Sequence, residues 1–326
     1  MKNTYTRPQR SLLSYLGITI RGLCMGAADV VPGVSGGTMA FILGIYEELL
    51  ESIRSFDLTF AKRLLSLRIR EAFDHASWPF LSALLLGILT AVFTLARALS
   101  WLLENKPVLI WSFFFGLVLA STLVVSRHLK KWTPGLVAFL ALGTVGTYFL
   151  VGMVPLSTPD APWFLFLSGA VAICAMILPG ISGSFILVLL GKYEYLLGAV
   201  KNWDLLPLVL AAAGAAFGLV TFVRILNLLF KRYHGATITL LTGLMLGSLR
   251  RVWPWKETIT GMPGGTGQPI ALSQANVLPG HWSSEVTIAL CLMVLGFLTV
   301  FILDLWATRR KTRADALPRQ AAGKSR

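Results

Sequence analysis

Ten apolar runs follow one another along this chain, and they constrain its fold more than any other feature. They lie near residues 12–31, 38–54, 78–103, 108–126, 134–152, 163–178, 184–199, 205–230, 236–250 and 286–307. A membrane-spanning helix needs about 20 consecutive, mainly apolar residues. Only 13% of the residues are charged, whereas soluble domains contain about 25%. The sequence therefore predicts an all-α polytopic membrane protein.

The chain also contains an internal repeat, centred on the motif proline-glycine-X-serine-glycine (PGxSG). The motif begins at Pro32 and again at Pro179, and ten of the 19 residue pairs from there to Leu50 and Leu197 are identical. Farther along, the offset falls from 147 to 127 and five more pairs match: Gly87 with Gly214, Thr94 with Thr221, Arg97 with Arg224, Gly116 with Gly243 and Ser121 with Ser248. We interpret residues 1–326 as one membrane domain with repeat one at 12–152, repeat two at 163–307 and a basic tail at 308–326.

The number of membrane crossings in each repeat decides how the two halves are related. Each half has a pair of segments around PGxSG and then three plain segments. If the pair forms a hairpin, either re-entrant or fully spanning, each half crosses the membrane an odd number of times and the two repeats are inverted. If the motif only breaks one spanning helix, the number of crossings is even and the repeats are parallel. With hairpins and a cytoplasmic N-terminus, 20 basic residues fall inside and 5 outside. This distribution favours inverted repeats with both termini cytoplasmic, although Arg250 and Arg251 lie on the outer side.

The charge and the cysteines of the chain argue against a nucleic-acid partner, a metal site and a disulfide framework. A net charge of +14 in a soluble protein would indicate nucleic acid, but here most of the excess marks the predicted cytoplasmic side. No nucleic-acid partner is therefore expected. The three cysteines lie in apolar runs without the spacing of metal ligands, so neither a metal site nor a disulfide framework is expected.

The PGxSG motif itself predicts an anion site. Proline ends the preceding helix, the glycines permit close approach, and Ser35 and Ser182 can cap the helix that follows. Each motif would then present the N–H groups of a helix N-terminus at membrane depth, a geometry that binds anions when it faces a cavity. The alternative is a tight turn between packed helices. We call these two helix N-termini the first and the second tip. Their candidate phosphate-binding residues are Ser35, Gly36, Gly37 and Thr38 at the first tip, and Ser182, Gly183 and Ser184 at the second.

Two arginines extend this candidate site. Arg97 and Arg224 are equivalent in the repeat, and each lies several residues inside an apolar run. Charges in such positions are rare, and a guanidinium matches the geometry of a phosphate. The alternative is that each side chain reaches the nearer membrane interface. We predict that both arginines serve as countercharges for a phosphate.

Three acidic residues are candidates for coupling to protons or sodium. Asp29 lies three residues before Pro32 and has no acidic counterpart in the second repeat, whereas Glu47 and Glu194 are equivalent. The alternatives are helix capping or structural pairing for Asp29, and interfacial anchoring or pairing with arginine for the two glutamates. No cofactor is expected.

Four segments of the sequence resemble those of a known family. The segments GAADVVPGVSGGTMAFILGIYEELL (26–50) and ILPGISGSFILVLLGKYEYLL (177–197), with FFFGLVLAS (113–121) and LLTGLMLGS (240–248), are similar to the PopT-type polyprenyl-phosphate translocases. The resemblance implies a flippase of the bacterial inner membrane. Such a protein returns undecaprenyl phosphate from the outer to the cytoplasmic leaflet, where the lipid carrier is reused for peptidoglycan and envelope glycans. The implied partner is a polyprenyl phosphate lipid, and an oligomer is an open alternative.

Two other functions compete with this one. Helix tips rich in glycine and serine also suit a small-anion channel or exchanger. Membrane polyprenyl pyrophosphate phosphatases look like inverted repeats with a PGxSRS motif, but Gly36-Gly37 and Gly183-Ser184 here replace its arginine and serine. No histidine lies in a predicted membrane segment to act as an acid or base. We therefore expect a lipid transporter rather than an enzyme.

Overall fold

The computed structural model describes residues 11–30, 35–56, 58–69, 71, 77–127, 132–156, 158–263 and 269–302. Pro32, Gly33 and Val34 of the first motif, and the predicted basic tail, lie outside these residues. Four of the described helices are long and apolar enough to cross a membrane, and a bent helix pair adds a fifth apolar segment. The prediction of an all-α polytopic membrane protein is confirmed.

Fourteen described elements make up the fold. The first half contains α1 (Leu12–Val30), α2 (Gly36–Ile42), α3 (Tyr46–Arg54), α4 (Leu58–Leu65), α5 (Trp78–Asn105), α6 (Pro107–Arg127) and α7 (Pro134–Leu150). The second half contains α8 (Pro162–Ile177), α9 (Gly183–Leu189), α10 (Tyr193–Lys201), α11 (Leu205–Ser248), β1 (Lys256–Pro263), β2 (Pro269–Asn276) and α12 (Ser284–Ile302). Proline occupies the first turn of α5, α7 and α8, where its missing N–H costs no helical hydrogen bond.

Helix α11 combines two of the predicted segments, 205–230 and 236–250. Its 44 residues would extend about 66 Å if they were straight, whereas a bilayer core is about 30 Å thick. The helix is broken at Tyr233, whose φ of −133° and ψ of 46° are not helical. The two predicted segments therefore correspond to the parts of α11 before and after Tyr233.

The segment after each PGxSG motif is a half-helix rather than a straight span. Helices α2 and α9 each have seven residues, or about 10 Å of length. Helix α9 then bends by 103° into α10. The turn depends on a glycine with positive φ, Gly191 at 64° in α9–α10 and Gly44 at 67° in α2–α3. Neither half-helix is long enough to cross a bilayer alone.

Close glycine contacts repeat between the two halves at the offsets seen in the sequence. A Cβ on Gly22 of α1 would lie 2.1 Å from the carbonyl oxygen of Leu84 in α5. At the equivalent position of α8, a Cβ on Gly169 would lie 2.0 Å from the carbonyl oxygen of Ala211 in α11. Helices α1 and α5 therefore pack backbone to backbone, as α8 and the first part of α11 do.

Helices of one half also pack against helices of the other half. Gly116 of α6 packs against the backbone of Met293 in α12, and its equivalent, Gly243 of α11, packs against Leu140 in α7. The third plain segment of each half thus packs on the second plain segment of the other half. This arrangement interlocks the two repeats.

One region differs from the sequence prediction. Residues 254–285 lie between the last two apolar runs, and they contain the antiparallel pair β1 and β2, with Lys256 opposite Asn276 and Ile259 opposite Ser273. The Thr258-Ile259-Thr260 sequence has the β-branched side chains that favour strands. Because this stretch is short and is followed by several glycines, the sequence alone does not predict a strand here.

Candidate functional site

The first tip is formed by Ser35 and the start of α2, and its N–H groups are already bonded within the protein. Asp29 at the end of α1 accepts a hydrogen bond of 2.7 Å from the backbone N–H of Gly36. The Ser35 hydroxyl accepts another, of 3.1 Å, from the N–H of Gly37. Ser35 and Thr38 are both about 1% exposed. Asp29 thus accepts a hydrogen bond at the N-terminus of α2, and its role in ion coupling stays a prediction.

Each PGxSG motif contacts residues that lie next to the other motif in the sequence. The Ser35 hydroxyl donates to the backbone oxygen of Met176, at 3.0 Å, and the Thr38 hydroxyl oxygen accepts from the backbone N–H of Gly180, at 2.8 Å. A Cβ on Gly37 would lie 2.5 Å from the carbonyl oxygen of Ile177. Residues that are about 140 positions apart therefore meet where the first tip abuts the end of α8.

The second tip, at Ser182 and the start of α9, is more open. Ser182 has nearly the same extended backbone as Ser35, with φ of −98° and −119° respectively. Its side chain, however, makes no capping hydrogen bond. Instead the hydroxyls of Ser182 and Ser184 lie 2.8 Å apart, and Ser184 is exposed. An N-terminus of α9 without an acidic cap, beside two hydroxyls, can donate hydrogen bonds to an anion.

The two arginines lie apart from this contact. Arg97 on α5 and Arg224 on α11 both have exposed side chains. In the described part of the chain, no hydrogen bond or ion pair joins either guanidinium to a tip residue. Their role as phosphate countercharges stays a prediction.

The glutamates have different surroundings despite their equivalence in the repeat. Glu47 at the start of α3 lies 3.2 Å from Nε2 of His234, directly after the break in α11. Sequence reasoning gave the histidines no role, because they were expected to lie in loops. Glu194 is exposed on α10. The proposed coupling role of both residues stays a prediction.

One buried lysine lies within an apolar run, and the sequence does not indicate its role. Lys192, between α9 and α10, is 1% exposed, and its ammonium donates to the Asp160 carboxylate at 2.5 Å and to the backbone oxygen of Thr158 at 3.0 Å. Ile45 occupies the equivalent position in the first repeat. Lys192 therefore ties the turn after the second half-helix to the segment before α8, which the first repeat does not do.

Comparison with known proteins identifies the family of this chain. A family model described as "Undecaprenyl phosphate translocase-like" matches residues 25–269, which include both PGxSG motifs and helices α2 to α11. The chain belongs to this family. No solved structure matches the chain.

Two curated relatives of this translocase-like chain carry the same name, "Polyprenyl-phosphate transporter". The protein from Vibrio cholerae is 43% identical over 303 residues, which cover 91% of this chain and 98% of the relative. The protein from Staphylococcus aureus is 31% identical over 261 residues, which cover 73% of this chain and 86% of the relative. The similarity to the first relative therefore extends over nearly the whole length of both proteins.

Proposed function

We propose that this chain is a transporter that moves undecaprenyl phosphate, or a similar polyprenyl phosphate, from the outer to the cytoplasmic leaflet of the bacterial inner membrane. The observation that carries the proposal is the second tip. The hydroxyls of Ser182 and Ser184 lie 2.8 Å apart at the start of α9, in a chain whose relatives are named for this substrate. The lipid carrier would thereby be recycled for peptidoglycan and envelope glycan synthesis.

The chemistry of the substrate fits a site of this kind. A polyprenyl phosphate has an anionic head group that must pass through hydrocarbon and an apolar chain that need not leave it. Moving a charge into the bilayer core is costly unless hydrogen-bond donors accompany it. The N–H groups of α9 and the Ser182 and Ser184 hydroxyls supply uncharged donors. The prenyl chain would stay in the lipid beside the protein.

The first tip has a different role in this mechanism. Its donors are taken by Asp29 and Ser35, so a phosphate could bind Gly36, Gly37 and Thr38 only after Asp29 had moved. A displaced carboxylate would attract a proton or a sodium ion. Exchange of Asp29 and phosphate at one helix N-terminus would thus couple transport to an ion. Alternating access through opposite movements of the two repeats would expose the site to each leaflet in turn.

The proposed orientation rests on charge. With the N-terminus in the cytoplasm, 20 basic residues lie on the inner side and 5 on the outer side, as expected for a multi-pass inner-membrane protein. The helix ends fall into two groups that agree with inverted repeats. Glu47 contacts His234, and Arg54 contacts Asn227 at one end, whereas Arg250 contacts Tyr148 at the other.

We further propose that the chain is not a phosphatase. In the described part of the chain, the tip residues Gly36 and Gly183 stand where a membrane phosphatase has its phosphate-binding arginine. His234 pairs with Glu47 beside the break in α11, away from both motifs in sequence. Both features favour binding and release of an intact phosphate monoester.

The test is reconstitution of the full chain into liposomes that contain a fluorescent polyprenyl phosphate. An impermeant enzyme or quencher reports how much lipid remains in the outer leaflet. We expect fast exchange in protein-containing liposomes and slow exchange in empty ones. Exchange at the protein-free rate would refute the transporter, release of phosphate from a polyprenyl pyrophosphate would favour an enzyme, and conduction of small anions without lipid exchange would favour a channel.

A further inference from the structure

A cavity of about 510 Å³ lies at the end of the bundle where α6 begins and α11 ends. Its wall is built by the start of α6, the segment that follows α11, the first residues of β1 and the segment after β2. The charged residues among its lining are Arg251, Lys256 and Glu257. All of these segments belong to the predicted outer side. The lining therefore carries a net positive charge at the end where few basic residues are expected.

The guanidinium of Arg251 has unused hydrogen-bonding capacity. Its Nε is buried and, among the described residues, has no hydrogen-bond partner. Native proteins seldom leave a buried polar group unpaired, so such a group needs an explanation. The Arg251 guanidinium also lies over the ring of Phe185, 5.3 Å from the centroid. Phe185 directly follows Ser184 in α9, so Arg251 is adjacent to the second tip.

The ammonium of Lys256 is held beside Arg251. It donates a hydrogen bond of 2.5 Å to the backbone oxygen of Arg251 and lies 4.4 Å from the ring centroid of Trp111. An ammonium has three donors, so others remain for a ligand. Burial, together with the positive charge of Arg251, lowers the pKa of Lys256 to about 7. Two cations held this close repel each other, and a bound anion would relieve the repulsion.

Arg251 has no cationic counterpart in the other repeat. The position equivalent to Arg251, at the offset of 127, is Val124, which is buried and apolar. Packing of the repeat therefore does not require a cation here. Trp111 and Trp255 also line the cavity, and tryptophan is enriched at the level of lipid head groups.

We propose that Arg251 and Lys256 form a phosphate-binding site at this end of the bundle, which receives the phosphate monoester of a lipid before it reaches the Ser182–Ser184 tip. A guanidinium and an ammonium together match a phosphate with a double negative charge. Arg251 connects the cavity with the tip, because it lines the cavity and its guanidinium lies over the ring of Phe185, the residue after Ser184. This role rests on the proposed transport function, whereas phosphate binding by the two cations does not.

The test measures binding of farnesyl phosphate, inorganic phosphate and farnesol to the purified full chain in detergent. We expect Arg251→Gln and Lys256→Gln each to raise the Kd for farnesyl phosphate by about tenfold or more, as expected for loss of a charge-assisted contact. Arg250→Gln is the matched control, because Arg250 bonds to the backbone of Tyr148 and does not line the cavity. Its Kd should change by less than about twofold. Farnesol should not bind at this site.

The arms of the experiment separate the outcomes. If inorganic phosphate shows the same dependence on Arg251 and Lys256, the phosphate alone is recognised; if only farnesyl phosphate does, the prenyl chain contributes. Arg251→Lys, which keeps the charge, should bind better than Arg251→Gln, and thermal unfolding checks that each variant is folded. Wild-type affinity in folded Arg251→Gln and Lys256→Gln would overturn the site. A wild-type chain that binds phosphate through these residues but does not exchange lipid would contradict the proposed function alone.

Discussion

The carboxylate of Asp29 accepts a hydrogen bond of 2.7 Å from the backbone N–H of Gly36, so an acidic side chain occupies the N-terminus of the first half-helix. A Cβ on Gly36 would lie 2.4 Å from this carboxylate, so a larger residue there would displace the Asp29 side chain. The equivalent residue in the second repeat, Met176, provides no such cap. The two half-helices therefore have similar backbones, but only the N-terminus of α9 is free of an acidic cap and can bind an anion.

This asymmetry makes Asp29 the first residue to test. Asp29→Ala should lower the free energy of unfolding by about 1 kcal/mol, because it removes a helix cap. Asp29→Asn keeps an oxygen that can accept from Gly36 but removes the charge. We expect its thermal stability to resemble the wild type, while lipid transport in liposomes loses its dependence on a proton or sodium gradient. Gradient dependence that persists in Asp29→Asn would assign Asp29 to capping alone.

The contact between the first tip and the end of α8 leads to a second prediction. Gly37→Ala would place a Cβ 2.5 Å from the carbonyl oxygen of Ile177, forcing the first tip away from α8. We expect a loss of about 1–3 kcal/mol in stability, as for other overpacked sites. Gly146→Ala in α7 is the control, because its Cβ would meet no atom within 4 Å. Equal melting temperatures of the two variants in detergent would contradict the close tip contact.

The sequence was sufficient to predict much of this architecture. Apolar run lengths located the long helices to within a few residues, because the bilayer sets the length of a span, whereas α4 lies outside every run. The duplicated PGxSG motif predicted two similar half-helices, and α2 and α9 each have seven residues. These features depend on local composition and on duplication, both of which can be read along the chain.

Pairing between distant side chains was not predictable in the same way. Nothing near Asp29 in the sequence distinguishes a helix cap from an ion-coupling acid, since the choice depends on where the end of α1 lies relative to the start of α2. Lys192 was assigned only to a segment, although it is buried against Asp160. Arg251 was noted as an exception to the charge distribution, but its proximity to Lys256 and Phe185 requires the packing of α9, α11 and β1.

The His234–Glu47 pair allows a prediction of a small effect. The two side chains are 58% and 62% exposed, and exposed ion pairs contribute little because solvent screens them. Glu47→Gln should therefore change the free energy of unfolding by less than about 1 kcal/mol. Thermal unfolding with and without added salt measures this. A larger, salt-insensitive loss would contradict the exposed position of the pair.

The cavity at the end of α11 predicts a dependence on pH. The charged groups that line it are Arg251, Lys256 and Glu257, and the pKa of Lys256 is lowered to about 7. Lys256 therefore loses its positive charge as the pH rises through this value, so the affinity for farnesyl phosphate should fall from pH 7 to pH 9. The second ionisation of a phosphate monoester has a pKa of about 6, so the ligand is already a dianion in this range.

Lys256→Arg provides the matching variant. Arginine stays protonated at these pH values, so the decline in affinity between pH 7 and pH 9 should become shallower. Titration of wild type and Lys256→Arg with farnesyl phosphate at several pH values makes the comparison. Parallel pH profiles would show that another group titrates.

The second tip is tested most directly by the rate of lipid exchange in liposomes that contain Ser182→Ala/Ser184→Ala. The control is Ser126→Ala, whose hydroxyl bonds back to Leu123 in its own helix. We expect the double variant to exchange a polyprenyl phosphate at least about tenfold more slowly than the wild type, as expected when two hydrogen bonds to a charged group are lost, and Ser126→Ala to exchange at the wild-type rate. A folded double variant that exchanges lipid as fast as the wild type would contradict the role of the second tip in carrying the phosphate.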